Sequence, residues 1–339
     1  MQSFFDQSRS DLQQWVQRPT RADRVFHSVY RDRIAKFDEV TSVPANYRAV
    51  LGQSLSLQLP EIVQRFDSED GTRRYLLRLS DGETVESVQI PNPDRTTFCI
   101  SSQIGCALAC AFCLTGQLGL TRDLSAGEIV SQVVLLQRET TPQRFGVVLM
   151  GMGEPLQNYA NVVKALNVLH DDNGLGIPLS RITLSTAGLV PAIDRLAKEK
   201  FFPNLSISLT GVSNSIRDVL MPINRKYPIE MVMDSVRRLP PRRQSRVMFE
   251  CVMIDGITDS IDQAEELSRL LRGTQAKVNL IPLNPAAEIP FQRSDDRAIF
   301  RFQEVLLAGG TAAFIRRNRG NDVFGACGQL KKKVIGGRS

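Results

Sequence analysis

Residues 105–113 read Gly105-Cys106-Ala107-Leu108-Ala109-Cys110-Ala111-Phe112-Cys113. Three cysteines at the spacing C-x3-C-x2-C can supply three thiolates to one 4Fe-4S cluster, which leaves the fourth iron without a protein ligand. An iron with a free coordination position can chelate a small molecule and pass an electron into it, and S-adenosylmethionine is the obvious candidate. The stretch therefore predicts a catalytic cluster at Cys106, Cys110 and Cys113.

The alternative is that these cysteines bind zinc or only pack in the core. A structural zinc ion takes four ligands, commonly two C-x2-C pairs or a pair with histidine partners. The chain has two histidines, His27 and His170, and neither lies near the triplet in sequence. The spacing therefore favours a cluster over zinc.

Strands and helices alternate from residue 96 onward, and the triplet follows the first of these strands. The predicted strands are 97–101, 146–150, 181–185, 205–209, 246–254, 277–282 and 312–316. The predicted helices between them are 126–139, 161–170, 190–198, 231–238, 260–271 and 296–307. Such repeats indicate a parallel sheet covered by helices. We predict an α/β fold, a partial (β/α)6-type open barrel, with its active site at the carboxyl ends of the strands.

The first 92 residues form a predicted accessory domain. Helical patterns at 10–17, 21–34 and 45–51 precede a β-hairpin of residues 74–79 and 84–90, whose turn is Asp81-Gly82. Pro91-Asn92-Pro93 breaks the chain and marks a boundary. The predicted units are an accessory domain at 1–92, a partial barrel at 93–320 and a C-terminal segment at 321–339.

Composition is that of an ordinary globular protein, with 42% hydrophobic and 23% charged residues. No apolar stretch approaches the roughly 20 residues that span a bilayer, and the first residues lack a secretory signal pattern. Six cysteines in 339 residues, four of them between 99 and 113, do not make a secreted disulfide framework. We therefore expect a cytoplasmic protein without a membrane partner.

Basic residues exceed acidic ones, 42 to 36, for a net charge of +6. Two groups stand out: Arg237, Arg238, Arg242, Arg243 and Arg246, then Arg316, Arg317, Arg319, Lys331, Lys332, Lys333 and Arg338. Most charge runs are solvated surface, but two such groups in a basic chain also suit RNA phosphates.

Small polar residues follow several predicted strands. Gly151-Met152-Gly153-Glu154-Pro155 places a carboxylate where a ligand ammonium could approach the backbone closely. Ser185, the run Ser208-Leu209-Thr210 and Asn284 follow three later strands. Each alone suits a turn or cap, whereas their recurrence at one rim suits hydrogen bonding to a ribose or carboxylate.

Three cysteines lie outside the triplet. Cys251 lies in an apolar strand and is expected to pack as a small hydrophobe. Cys99 lies seven residues before Cys106, and Cys327 lies in a glycine-rich, basic stretch that leaves its thiol unobstructed and favours the thiolate. Cys327 is therefore a candidate functional nucleophile.

These segments together closely resemble the radical S-adenosylmethionine RNA methyltransferases of the RlmN and Cfr family. The matching stretches span nearly the whole chain: residues 99–106 with the triplet, 151–158, 181–188, 222–224, 279–285 and 326–330. Residues 21–51 also look like the small N-terminal helical domain of that family, for which contact with RNA is expected.

The resemblance implies a role for each candidate residue. Cys106, Cys110 and Cys113 would hold the cluster. S-adenosylmethionine would be contacted by Gly153, Glu154, Ser185, Ser208, Leu209, Thr210 and Asn284. Cys327 would accept a methyl group from one S-adenosylmethionine, and a second one would yield the radical that removes hydrogen from that methyl. The methylene radical would add to an electron-poor adenine carbon, giving a covalent protein–RNA adduct.

Two further residues would complete that reaction. Cys99 would attack the sulfur of Cys327 and release the product as a disulfide, which a cellular reductant reopens. Glu86, 13 residues before Cys99, matches the proposed base that removes the ring proton, with Glu83 a nearby rival. One departure is Thr210, where family members commonly have histidine, so cofactor binding or substrate could differ.

The leading hypothesis is methylation of carbon 2 of a specific adenosine in 23S ribosomal RNA, with transfer RNA as a further substrate. Methylation at carbon 8, as in the Cfr branch, is the first alternative, and an RNA-binding relative without activity is the second. A flavodoxin or ferredoxin electron donor and a monomeric state are also expected. A radical enzyme acting on a small molecule is disfavoured by the basic groups and the N-terminal domain.

Overall fold

The computed structural model of the protein describes residues 1–330. Its strands are β1 (Gln2–Ser3), β2 (Leu55–Ser56), β3 (Glu61–Asp67), β4 (Arg73–Arg78), β5 (Thr84–Pro91), β6 (Thr96–Cys99), β7 (Gln103–Cys106), β8 (Gly119–Asp123), β9 (Phe145–Leu149), β10 (Ile182–Thr186), β11 (Asn204–Ser208), β12 (Val247–Met253), β13 (Lys277–Pro282) and β14 (Ala313–Ile315).

The α-helices are α1 (Gln13–Val16), α2 (Pro19–His27), α3 (Ala45–Ser54), α4 (Leu114–Gln117), α5 (Ala126–Thr140), α6 (Tyr159–His170), α7 (Val190–Leu196), α8 (Asn214–Leu220), α9 (Ile229–Arg237), α10 (Pro241–Gln244), α11 (Ile261–Leu271) and α12 (Asp296–Ala308). Short 3-10 turns occur at Phe4–Asp6, Phe37–Glu39, Leu179–Arg181, Pro222–Arg225 and Asn321–Val323, and a π-helical turn covers Ser28–Asp32. Within residues 1–330, no helix is both long and apolar enough to cross a membrane.

Seven strands, β6 and β9 to β14, run parallel and lie side by side in chain order. Helices α5, α6, α7, α9, α11 and α12 follow the predicted pattern between them. The interior of the sheet is apolar, as parallel strands covered by helices require, and includes Val147, Leu184, Ile207, Phe249 and Leu280. The predicted partial (β/α) barrel is confirmed, and α8 is an additional short helix.

The hairpin predicted in the accessory domain is part of the same sheet. Strands β3, β4 and β5 are antiparallel and extend it from β6, so ten strands form one continuous surface. The predicted boundary at residue 92 falls in the turn between two directly paired strands, β5 and β6. The hairpin strands therefore share their hydrogen bonding with the barrel, and the division into three units stays a prediction.

The helical part of the N-terminal region packs around a group of aromatic rings: Phe4, Phe5, Phe26, Tyr30 and Phe37. The helix predicted at 10–17 is shorter, because Gln17 is left-handed (φ 60°) and ends α1. Pro19 then begins α2 at its first turn, where proline is tolerated. The helix predicted at 21–34 changes to a π-helical turn at Ser28.

The triplet begins at Cys106, the last residue of β7, and continues into the loop before β8; β7 and β8 pair with each other outside the main sheet. Gly105 has φ +78°, and a Cβ added there would lie 1.8 Å from the carbonyl oxygen of Gly119. Only glycine therefore permits this approach of the two strands. The short hairpin fixes both ends of the loop that carries Cys106, Cys110 and Cys113.

Candidate functional site

A cavity with an empty volume of about 970 Å³ opens at the carboxyl ends of the parallel strands. All three triplet cysteines line it, together with Gly153, Glu154, Ser185, Ser208, Asn284 and Cys327. These residues come from the end of β7 and the loop after it, from the ends of β9, β10, β11 and β13, and, for Cys327, from the segment after β14. The structure thus brings most of the predicted site residues to one place, as parallel α/β sheets do.

The triplet thiols share this cavity without converging on one point. In the part of the chain that the structure describes, no three His, Cys, Asp or Glu side chains form a ligand group for a single metal ion. A zinc ion would need such convergence, whereas each thiolate of a cluster binds a different iron atom. Burial raises the pKa of Cys106 to about 12 and also raises the pKa of Cys110 and Cys113, so ligation would have to displace their protons.

Glu154 presents a buried carboxylate to the cavity. The backbone N–H groups of Ala187 and Leu156 donate to it at 2.7 and 3.0 Å, which fixes its orientation. Burial nevertheless raises its pKa to about 7. Gly153 before it has φ +103°, and a Cβ there would lie 2.5 Å from the side chain of Gln103. A bound ammonium would therefore pair with the Glu154 carboxylate and favour its ionised form.

Asn284 connects the end of β13 with the segment that carries Cys327. Its Nδ2 donates to the carbonyl of Cys327 at 3.0 Å. Its Oδ1 is buried and has no hydrogen-bond partner within residues 1–330. Because buried polar atoms are rarely left unpaired, this oxygen is suited to accept a hydrogen bond from a ligand in the cavity.

Leu209 and Thr210 do not line the cavity, although both were predicted to contact the cofactor. Both are buried, Thr210 is left-handed (φ 56°), and the backbone N–H groups of both donate to the carbonyl of Glu250 on β12. The carbonyl of Leu209 accepts a hydrogen bond from the guanidinium of Arg217. For these two residues the sequence prediction of direct cofactor contact is not supported by the geometry.

A second cavity, of about 1220 Å³, adjoins the first. Its lining includes Cys99 on β6 together with Cys327, and also Asn284, which borders both cavities. Three arginines of the C-terminal basic group, Arg316, Arg317 and Arg319, line it as well. Cys327 therefore lies between a cavity lined by the triplet and a basic cavity lined by Cys99.

The state of Cys327 differs from the sequence prediction. Burial raises the pKa of its thiol, and the nearby guanidinium of Arg316 opposes that shift only in part. This direction departs from the expected thiolate because the segment packs against the site, and the role of Cys327 stays a prediction. An ionised Cys327 would raise the pKa of Arg316, as the carboxylate of Glu250 also does, so the guanidinium stays charged.

Two residues at this junction were not singled out from sequence. Glu250 on β12 lines the first cavity, accepts a 2.6 Å hydrogen bond from Ser206 and lies 3.8 Å from Arg316. Arg316 was noticed only as one member of a basic group. A carboxylate inside an otherwise apolar strand was the signal that could have identified Glu250.

The proposed base does not line either cavity. Glu86 on β5 is fully buried and forms an ion pair with Arg74 on β4. Glu83, its rival, lies before β5 in the hairpin turn, where its N–H donates to Asp81 at 3.0 Å. The structure thus places Cys99 and Cys327 in the lining of one cavity. Glu86 lies outside both cavities, buried against Arg74.

The first basic group is engaged mainly within the protein. Arg237 and Arg238 form ion pairs with Asp234 and Asp194, while Arg243 and Arg246 donate to backbone carbonyls. These contacts agree with the surface interpretation of that group. Lys331, Lys332, Lys333 and Arg338 of the second group lie outside the described residues, as does the end of the predicted 321–339 segment.

Comparison with known proteins identifies the family. The model of the Radical SAM superfamily matches residues 100–270. A protein of Koribacter versatilis, named probable dual-specificity RNA methyltransferase RlmN, is 42% identical over 335 residues, which cover 93% of this chain and 96% of that protein. The dual-specificity RNA methyltransferase RlmN of Syntrophobacter fumaroxidans is 41% identical, with 94% and 95% covered. The chain belongs to the RlmN family of radical S-adenosylmethionine methyltransferases.

A solved structure supports the same assignment. The radical SAM methyltransferase of Sphaerobacter thermophilus is 41% identical, covers 98% of this chain and all of its own, and superposes with a TM-score of 0.91. RlmN-family enzymes, as members of the radical SAM superfamily, use a 4Fe-4S cluster and S-adenosylmethionine. The free Oδ1 of Asn284, the buried Glu154 and the three thiols of the first cavity fit that cofactor pair.

Thr210, where the family resemblance leads us to expect histidine, is strained. A β-branched residue at positive φ costs about 1–2 kcal/mol, and its buried Oγ1 has no partner among the described residues. We expect Thr210→Gly to stabilise the fold by about 1 kcal/mol in urea unfolding, because it relieves the strain and removes the unpaired hydroxyl. Thr210→Ala, which keeps the Cβ, should recover only part of this gain, and a destabilised Thr210→Gly would contradict the argument.

Proposed function

We propose that the protein methylates carbon 2 of a specific adenosine in 23S ribosomal RNA, through an S-methylated Cys327, and that transfer RNA is a second substrate. The observation that carries this proposal is the position of Cys327, which borders both the cavity of the triplet and the basic cavity of Cys99. A methyl carrier has to reach a methyl source and an acceptor in turn. The names of the relatives, dual-specificity RNA methyltransferases, favour two classes of RNA.

In the first cavity, Cys106, Cys110 and Cys113 would hold the cluster, and Glu154, Ser185, Ser208 and Asn284 would orient S-adenosylmethionine. When bound, these groups supply one-electron chemistry that can remove a hydrogen atom from an S-methyl group. Cys327 would take its methyl from one S-adenosylmethionine, and a second one would be consumed in activating that methyl. Each turnover would therefore use two molecules of S-adenosylmethionine. The apolar lining of the cavity, which includes Leu108, Phe112 and Leu283, would exclude water from the reactive methyl group.

The second cavity would receive the adenosine. Arg316, Arg317 and Arg319 place positive charge beside Cys327, as a phosphodiester substrate requires. Cys99 would attack the Cys327 sulfur, and the methylene carbon would leave with the electron pair of the C–S bond and take up a proton to become the methyl group. The Cys99–Cys327 disulfide that remains would be reduced by an external dithiol. A flavodoxin or ferredoxin would supply the electrons, and the enzyme would act as a monomer in the cytoplasm, where its RNA substrates are found.

Nucleoside mass spectrometry tests this function. Anaerobically reconstituted protein, S-adenosylmethionine and a reducing system are incubated with unmodified 23S ribosomal RNA fragments and with transfer RNA. We expect 2-methyladenosine in both, and none without reductant. Appearance of 8-methyladenosine alone would contradict methylation at carbon 2, and 2-methyladenosine in only one RNA would contradict dual specificity. If 5′-deoxyadenosine forms without any methylated adenosine, the radical chemistry is present and the substrate is another molecule.

A further inference from the structure

One face of the extended sheet gathers groups that the two cavities do not explain. Register places Arg74 opposite Val88, and Val88 opposite Cys99, on three adjacent strands. Residues directly opposite in a sheet point to the same face, as do residues two apart on one strand. Arg74, Glu86, Val88 and Cys99 therefore share one face of β4, β5 and β6.

The segment that leads to Cys327 crosses this face. The Nε of Arg74 donates to the carbonyl of Val323 at 2.7 Å. A Cβ added at Gly325 would lie 3.6 Å from Val88, which shows how closely the segment packs on β5. Just upstream, Asp322 accepts a 2.6 Å hydrogen bond from the hydroxyl of Ser68. The segment that leads to Cys327 thus covers the sheet face that carries Glu86.

Arg74 is the side chain that contacts both the segment and Glu86. It is 1% exposed, pairs with the fully buried carboxylate of Glu86, and lies over the ring of Phe66 at 3.9 Å. Its Nη2 is buried and has no hydrogen-bond partner within residues 1–330. Buried unpaired donors are uncommon because they lower the stability of the folded protein, so burying the Arg74 guanidinium has an energetic cost.

We infer that Arg74 is a positioning residue for the proton-removal step: it holds Glu86 as an ionised carboxylate and ties that carboxylate to the segment carrying Cys327. This inference rests on the proposed function. A carboxylate buried here without a cation would take up a proton, and a protonated acid cannot accept one from the ring carbon. In the step itself the ring C–H proton would pass to Glu86, the electron pair of that bond would stay in the ring, and the one electron that the radical addition leaves on the ring would return to the bound cluster.

The link to Val323 has a second consequence. Because one guanidinium contacts both Glu86 and the backbone four residues before Cys327, a movement of that segment towards RNA would move or release Glu86 as well. The base and the methyl carrier would then be delivered to the adenosine together. Arginine suits this link because its planar guanidinium can donate to two acceptors at once, whereas lysine presents a single ammonium.

The test compares Arg74→Met, Arg74→Lys and Arg73→Met. Arg73 is the matched control, because it lies next on the same strand but on the opposite face, where it pairs with Asp67 at 3.1 Å. Three quantities are measured for each protein: S-methylation of Cys327 without RNA, by peptide mass spectrometry; 2-methyladenosine formed with RNA; and RNA retained on the protein in a denaturing gel.

For Arg74→Met we expect Cys327 methylation within twofold of wild type, a loss of about 100-fold in 2-methyladenosine, and accumulation of the covalent protein–RNA adduct. Arg74→Lys should restore part of the product, since it returns the cation to Glu86, and Arg73→Met should match wild type. Product within twofold of wild type in Arg74→Met would overturn the inference. Parallel loss of Cys327 methylation would also overturn it, because the role would then be structural.

The same experiment separates this inference from the proposed function. Wild-type protein that forms no methylated adenosine contradicts the proposed function itself. If wild-type protein and the Arg74→Met variant form equal amounts of methylated adenosine, only the role of Arg74 is contradicted.

Discussion

Replacing Cys327 with alanine is expected to reduce 2-methyladenosine formation by at least about 1000-fold, the scale of loss when an obligatory covalent carrier is removed. Among the described residues, Cys327 carries the one thiol that lines both cavities, so its sulfur is placed to carry a methyl between them. The triplet and Glu154 remain in place in this variant, so 5′-deoxyadenosine should still form. Nucleoside mass spectrometry measures both products in one sample.

The matched control for this variant is Cys251→Ala. Cys251 is 2% exposed on β12 within the hydrophobic core, which agrees with the expectation that it packs as a small hydrophobe. Its replacement should cost stability but leave the product distribution unchanged. Retention of more than a tenth of the activity in Cys327→Ala would show that the methyl group reaches RNA without this carrier.

The second large effect is expected for Cys99→Ala, which should stop turnover at the covalent adduct. Cys99 and Cys327 line the same cavity, so Cys99 is placed to attack the bridging sulfur. Without that thiol the C–S bond persists, and protein and RNA should migrate together in a denaturing gel. The yield of free 2-methyladenosine should fall about as far as in Cys327→Ala, whereas Cys327→Ala should form no adduct.

The pH dependence of release gives a further check on Cys99. Burial raises the pKa of its thiol to about 12, so the resting group is protonated at neutral pH. Attack needs the thiolate, whose fraction rises about tenfold per pH unit below the pKa. Release of preformed adduct should therefore accelerate between pH 7 and pH 9, and adduct that resolves at one rate across this range would exclude Cys99 as the attacking group.

Sequence predicted the parts of this molecule that local patterns determine. The seven parallel strands, β6 and β9 to β14, follow apolar runs bounded by glycine or polar residues. The spacing of the triplet indicates a 4Fe-4S cluster without further context. Strand β3 was missed because Glu61–Asp67 is polar and half-exposed along its length, as an edge strand can be. Helix α8 has seven residues, which is too short for its periodicity to be distinctive.

What sequence could not provide depends on contacts between distant segments. The second cavity is built from residues near 92–99, 281–284 and 316–330, which only the closing of the barrel brings together. The pairing of Arg74 with Glu86 requires the register of β4 and β5. Leu209 and Thr210 lie in a matching motif, but their backbone N–H groups bond to Glu250 on β12 and neither residue lines the cavity. The state of Cys327 likewise follows from burial, which its glycine-rich neighbours did not reveal.

The continuity of the ten-stranded sheet limits how such enzymes can be divided or recombined. Cutting at residue 92 would separate β5 from β6 and leave two long unpaired edges, which are templates for aggregation. It would also split Glu86 from Cys99. The helical region before β3 also contacts the barrel, since Asp6 accepts a hydrogen bond from the backbone N–H of Gly127 on α5. The hairpin therefore has to stay with the barrel in any engineered exchange of the N-terminal region.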